Sequence, residues 1–574
     1  MKLKQLVVLI FLTSGAYSFS QMTYEYDTLR YGDQVLGITD SIDFNTGDLP
    51  TTFDGGRSIL SEDGLSLNRL VSDYTGFRFN SFGEWKKMQF SALPYIGFSY
   101  SFGSNATQSI STQYTQAFSD SLLLNIHYSR NSGAGFIRNT AFTRNDLSMQ
   151  LEWKAKFYSM QLRGAYLSDS SGHAGGLDSL DVSLGLELES VRKTNAASKT
   201  KQGIVELNNY INFNPGNLAR IGLITKHRYE ISDRHYHELD TLYGIYGAIN
   251  IDSLTTFDKF THASIRNGAG LFFSRKGAYV DGRLAYTYWR VGNLGNQYDT
   301  TEIDLNSSIR WTRNRFNFTN KLHFNILGGY NALSNRFGVS YKVSKLSATG
   351  MVVFDNSPPV VMKRSYFSNN FNYSQTDIRL QQLLRIKGGL GYEIKGDTNA
   401  IFAAVEYAQM NNTYLFNDST WERSSQVISA IRIAASAKFQ FGKFHLQPRL
   451  IYTIQAENYL PDFQGYLRLY LKSTVFKAKK LLLVLGVDAS YTSSFDHKMF
   501  TPAMDAYTWY QPLGTTKPMA NLHTFTAIEI STFRFFLRFE NIGAFWNDPL
   551  SQELNAYPLS GSRLRVGITW DFFN

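Results

Sequence analysis

The chain has 574 residues, no cysteine and a formal net charge of +10. The missing cysteines exclude disulfides, thiolate catalysis and zinc–thiolate sites, and the basic residues form no blocks of the kind that bind nucleic acid. Aromatic residues make up 15% of the chain while mean hydropathy is only −0.25, so apolar and polar residues must be interleaved.

Residues 1–20 read as a cleaved secretory signal. Lys2 and Lys4 precede an apolar run from Leu6 to Leu12, and small residues lead to Ser18-Phe19-Ser20. The run is too short for a membrane-spanning helix, which needs about 20 apolar residues. No cysteine follows it, which removes a lipoprotein anchor, and loss of the two lysines leaves a net charge of +8. Residues 21–85 alternate weakly and hold Asp40, Asp43, Asp48 and Asp54 beside Gly55-Gly56. They form a lead-in segment, periplasmic or folded into a barrel mouth. Their aspartates lack the spacing of a calcium-binding EF-hand loop, so a solvated loop is expected and no metal is assigned.

From 86 to 574 the dominant pattern has a period of two. Leu147, Met149, Leu151, Trp153 and Phe157 alternate with Ser148, Gln150, Glu152, Lys154 and Lys156. Tyr158, Met160 and Leu162 then alternate with Ser159, Gln161 and Arg163. Near the end Phe533, Phe535, Leu537 and Phe539 oppose Arg534, Arg538 and Glu540, with Phe536 as an interruption. A helix would scatter these residues around its circumference, whereas a strand sorts them onto two faces. The rhythm predicts roughly 20 strands, an even number between about 16 and 22. It is weakest from about Ser170 to Arg364.

Connections alternate in length. Ser531-Thr532, Gly442 and Lys477–Lys480 mark tight turns, while Met410–Ser424, Ser493–Ala520 and Ile542–Gly561 mark long connections. Outer-membrane barrels show this asymmetry, with short periplasmic turns and long extracellular loops. Beyond the signal no apolar run approaches the ~18 residues of a spanning helix. The predicted fold is therefore all-β: a transmembrane antiparallel up-and-down β-barrel. A secreted soluble sandwich, the alternative, would use shorter and more evenly spaced strands.

Three further motifs have ordinary structural explanations. His235-Tyr236-His237 puts two imidazoles on one face near Asp233 and Glu238, a spacing that metal sites use but that also suits a strand end at a barrel rim. Gly388-Gly389-Leu390-Gly391 is followed by strand-like residues rather than the helix that phosphate-binding loops need, and reads as close approach inside a barrel. Tyr507, Trp509 and Tyr510 sit in a long connection, where aromatic faces stack on sugars or on the loop itself. No nucleophile elbow in a strand-to-helix setting is present, so neither an enzyme activity nor a cofactor is expected.

The chain closes on RLRVGITWDFFN. Leu564, Val566, Ile568, Trp570 and Phe572 share one face; Arg563, Arg565, Thr569 and Asp571 share the other. This ending resembles the carboxy-terminal assembly signal of outer-membrane proteins, carried here by Arg565, Gly567, Trp570 and Phe572. Phe573-Asn574 departs from the commonest form, in which an aromatic residue is last. More broadly, the signal, the segment Pro94–Asn139 and the final strands resemble the putative β-barrel porin family of the Bacteroidota. Within that segment Tyr100, Gly103, Gly135, Phe136 and Asn139 stand in the family's order. The resemblance covers about Ser91 to Asn574 and implies an outer-membrane channel, with membrane lipid and the barrel-assembly machinery as partners.

If the apolar sets face lipid, Arg163, Arg468, Lys472, Arg534, Arg538, Arg563, Arg565, Glu152, Asp488, Glu540 and Asp571 line the pore. Charged rings bias which ions pass. Two readings stand side by side: a weak anion preference, and pairing of these charges that stiffens the wall. The expected function is passive diffusion of small hydrophilic solutes. The alternatives are a structural or secretion-associated barrel and a plugless substrate-specific transporter, since residues 21–85 are too few for the plug of an energised one.

Overall fold

A computed structural model describes residues 27–28, 88–179, 186, 188–215, 219–239, 248–295, 297–395, 399–417, 419–475, 481–496, 498–508, 514–546, 548 and 551–573. The signal, nearly all of the lead-in with Asp40, Asp43 and Asp48, and Trp509 with Tyr510 lie outside the described residues.

Among the described residues 22 antiparallel strands close into one barrel, each bonded to its sequence neighbour in the ring. The ring is sealed where the last strand, Arg563–Phe573, pairs with the first, Tyr95–Gly103, in a register that sets Trp570 opposite Phe98. The expected number of about 20 is two short. The stretch of weak alternation holds the longest strands, Ala219–Glu238 and Thr256–Arg275, of 20 residues each. Their upper ends carry polar residues on both faces, which removes the period-two signal there.

Exposure follows residue parity. Leu564, Trp570 and Phe572 are exposed on the outer face, whereas Arg534, Arg538, Glu540 and Asp571 are buried on the inner one. This inverts the order of a soluble barrel and is what a hydrocarbon surround selects. Trp570 and Phe572 stack at 4.5 Å between centroids, and Phe533 meets Trp570 edge-on at 5.7 Å. They form an aromatic belt at the end where the chain stops.

The two ends of the barrel differ. At one, every connection is short: 120–121, 155–157, 213–218, 276–277, 314–315, 344–345, 396–398, 442–443, 476–480 and 531–532. At the other lie 134–141, 174–195, 239–255, 358–380, 412–427, 456–462, 493–518 and 541–562, along with three short connections.

Phe536, the interruption in the polar set, is explained by glycine. Its ring lies on the inner face against Gly567 of the neighbouring strand, within a small cluster of Tyr470, Val484, Phe525 and Ala527. A Cβ on Gly567 would stand 2.4 Å from the Phe536 ring and 2.7 Å from the Tyr100 carbonyl. Gly567→Val is therefore expected to cost about 1–3 kcal/mol through overpacking. Phe536→Ala should relieve it only in part, because the clash with backbone persists. Thermal unfolding of the two single variants and the double variant checks this; a Gly567→Val barrel as stable as the parent would contradict it.

Candidate functional site: a charged lumen beneath a folded mouth

The apolar core of this protein lies among the long connections, not between layers of sheet. One cluster joins Leu177 and Val191 of 174–195, Leu460 of 456–462, Phe495 and Phe500 of 493–518, and Leu554 with Tyr557 of 541–562, to inner-wall residues such as Met410. A second gathers Tyr366 and Phe371 of 358–380, Phe416 and Trp421 of 412–427, and Met504 of 493–518 against Tyr236 and Phe260 of the wall. Connections 412–427 and 493–518 also share a small four-stranded sheet.

Connection 493–518 crosses the mouth. It joins the nineteenth and twentieth strands of the ring, yet the guanidinium of Arg234, on the seventh, donates to its Pro502 and Ala503 carbonyls at 2.6 and 2.7 Å. In a ring of 22 those positions are nearly opposite. Other ties fasten the neighbouring connections to the wall and to one another. Asn139, at positive φ, donates to the carbonyls of His173, Ala196 and Lys193 at 2.8, 3.1 and 3.2 Å. The Lys193 ammonium reaches both Glu238 oxygens at 2.6 and 2.8 Å. Asn369 accepts from the amides of Ile251 and Asp252 and donates to carbonyls of the same connection, fastening 358–380 to 239–255.

Lys498 is enclosed in the first cluster, donating to the Tyr459 carbonyl at 2.8 Å with its ammonium over the Phe495 ring. Burial pushes its amine down to about 7 from an ordinary value of 10.5, against the opposing pull of Asp496. Between those values the unfolded chain binds a proton that the folded one does not, so stability rises with pH. The burial cost is present in full below pH 7 and is relieved towards pH 10. Protease protection of 493–518 is expected to increase over this window, and Lys498→Met should flatten the profile.

Beneath the mouth the inner wall is polar, and several of its carboxylates are shared by two or three cations. Glu540 faces Arg563, Arg565 and Arg538 at 2.5, 3.3 and 3.5 Å. Glu206 faces Lys226, Arg163 and Arg228 at 3.1, 3.6 and 3.9 Å. Asp488 pairs with Arg468 at 2.7 Å and Arg538 at 3.4 Å, and Arg534 bridges Asp571 at 3.4 Å and Glu529 at 3.5 Å. Glu152 holds Lys154 at 3.5 Å. Lys472 lies on the inner face between Tyr470 and the short-turn end.

The residues named from sequence thus stand on the inner face, but Arg534, Arg538, Glu152, Glu540 and Asp571 are buried within ion pairs. The water-facing cations are others: Lys321, Arg336, Lys342, Lys387 and Lys438, all exposed on the inner face of strands between 316 and 441. Lys342 pairs with Glu393 at 2.7 Å; among the described residues Lys387 and Lys438 have no ion pair. The alternation in Phe316-Asn317-Phe318-Thr319-Asn320-Lys321-Leu322-His323 carries the signal that would have found them.

The remaining motifs take structural roles. His235 and His237 point outward, and His235 bonds Asp233 at 2.8 Å. No group of three metal-ligating residues occurs among the described residues. Gly388–Gly391 continues within the strand Gln381–Lys395, where the Phe402 ring lies over Gly389.

A family described as "Putative porin" matches residues 91–574. The chain belongs to this family. Family membership and the closed ring make it an outer-membrane β-barrel. No curated protein sequence matches it. Among solved structures it is similar to the ferric enterobactin receptor of Pseudomonas aeruginosa, with a TM-score of 0.59, 10% identity and coverage of 85% of this chain and 81% of that one. The siderophore receptor PirA of Acinetobacter baumannii gives the same score, identity and coverage. The FrpB iron transporter of Neisseria meningitidis gives 0.56, 10% identity and coverage of 84% and 83%. At such identity these likenesses describe the fold alone.

Proposed function

We propose that this porin-family barrel is a channel for small hydrophilic solutes, with an anion-favouring lumen and a mouth held closed by its own connections. The tight turns lie in the periplasm and the long connections outside, as in other barrels of this class, so the closed mouth faces the exterior. Passage needs no covalent chemistry. The carrying observation is the inner wall: Glu540 and Glu206 are each faced by three cations, and among the described residues Lys387 and Lys438 face the lumen without an ion pair. A lumen with surplus positive charge admits anions preferentially. In a planar bilayer under a salt gradient the purified protein is expected to give an anion-selective reversal potential. A zero or cation-selective value would end that part of the proposal.

The apolar core of the mouth supports a second reading, in which the barrel opens only for a particular solute. Liposome swelling separates the two. Graded uptake of small sugars by the intact protein favours simple diffusion, and impermeability to all of them favours a substrate-specific transporter.

A further inference from the structure

On three adjacent strands, Ala196–Asn212, Ala219–Glu238 and Thr256–Arg275, the outer face changes character along its length. Register aligns outward residues in rows. Ile211, Leu223 and Leu271 lie abreast near the short-turn end and Val205, Tyr229 and Ile265 lie abreast further up, with the mixed rows Asn209, Thr225, Ala269 and Leu207, His227, Asn267 between them. Above these apolar rows come Lys201, Asp233 and Thr261, and then Lys199, His235 and Lys259.

Lys199 and Lys259 flank His235 from its two neighbouring strands, and Lys201 stands two residues from Lys199 on the same face. Lys199, Lys201 and Lys259 are exposed, and among the described residues none makes an ion pair. The one acid in the group, Asp233, lies opposite Lys201 and accepts a hydrogen bond from His235 at 2.8 Å, so three ammonium groups stand against one carboxylate. This leaves a compact surplus of positive charge directed outward, just past the end of an apolar band. That is the level at which lipid headgroups sit. About 27 Å further down the same strands, the outer wall carries a cleft of about 310 Å³ bordered by His227, Asn267, Ala269, Leu284, Tyr286 and Ile303.

We infer that Lys199, Lys201 and Lys259 form a binding site for the phosphate of an anionic lipid in the leaflet at the long-connection end, its acyl chains lying along the apolar rows beneath. The site lies on the outer wall and does not depend on whether the lumen conducts. The phosphate would neutralise the excess of ammonium groups that Asp233 alone does not balance. Free phosphate shares that chemistry but gains nothing from the apolar rows.

The test uses the full-length protein in detergent, with retained lipid read by native mass spectrometry. The probes are phosphatidic acid, phosphatidylcholine and inorganic phosphate. Phosphatidic acid is expected to be retained in preference to phosphatidylcholine, and inorganic phosphate at equal concentration should fail to displace it. K199S/K259S should weaken phosphatidic acid binding by about 25-fold, at roughly 1 kcal/mol or 5-fold per lysine, while K199R/K259R retains it. Equal retention of both lipids, displacement by inorganic phosphate, or undiminished binding in a folded K199S/K259S barrel would each overturn the inference. The comparison of the two lipids needs no variant and stands even if the substitutions prevent folding.

Discussion

Liposomes carrying a variant in which residues 495–516 are replaced by a short Gly-Ser turn are expected to swell severalfold faster in small sugars than liposomes carrying the parent protein. The expectation follows from where the connection goes. It leaves one side of the ring, contributes Phe495, Phe500 and Met504 to both apolar clusters, and is gripped on the far side by Arg234. Its removal takes away a segment held at both sides of the mouth. The barrel itself should survive, because the strands Leu481–Thr492 and Met519–Ile530 are bonded to each other along their whole length. Arg234→Ala should give an intermediate rate by freeing two buried carbonyls from their donors. Swelling unchanged from the parent in both variants would mean that the mouth is not the barrier.

The largest loss of stability is expected from Glu540→Ala. Glu540 is 5% exposed and is the shared counter-charge of Arg538, Arg563 and Arg565. Removing it leaves Arg563 and Arg565 facing one another without a counter-charge and Arg538 with Asp488 alone. Breaking a buried pair in this way costs about 3–5 kcal/mol, because the charge left behind keeps its desolvation penalty without its partner. Unfolding in denaturant measures the loss, and Glu540→Ala combined with Arg563→Leu should recover part of it, as coupled residues do. The same variant raises the positive charge of the lumen, so any channel that still assembles should be more anion-selective than the parent. A variant of parental stability would show that the three arginines find other partners.

How much of this was legible in the chain depended on whether the information was local. The final strand could be read residue by residue, since Leu564 to Phe572 obeys the period of two without a break, and the turns at 442 and 531 fell where Gly442 and Ser531-Thr532 placed them. Long strands whose upper ends leave the hydrocarbon lost the pattern, because no apolar surround selects their outward residues there; Lys199, Lys201 and Asp233 are of this kind. Phe536 read as an error in the alternation until its neighbour across the sheet, Gly567, supplied the space for its ring. The closed mouth could not be read at all. Arg234 and Pro502 are 268 positions apart, and nothing in either neighbourhood names the other. The inner cations were only half legible: parity sorted them onto the correct face, but burial, which separates paired Arg534 from water-facing Lys387, depends on partners such as Glu529 and Asp571 that the two adjacent strands supply.

Pairing between Tyr95–Gly103 and Arg563–Phe573 has a bearing on how the protein is made. Until the carboxy-terminal strand has paired with the first, the sheet has two raw margins, each presenting a row of unmet amides and carbonyls that hydrocarbon will not tolerate. Any sheet formed before that pairing is thus an open ribbon needing custody. A prematurely stopped translation product would be left permanently in that condition, unable to seal however many of its earlier strands were in place.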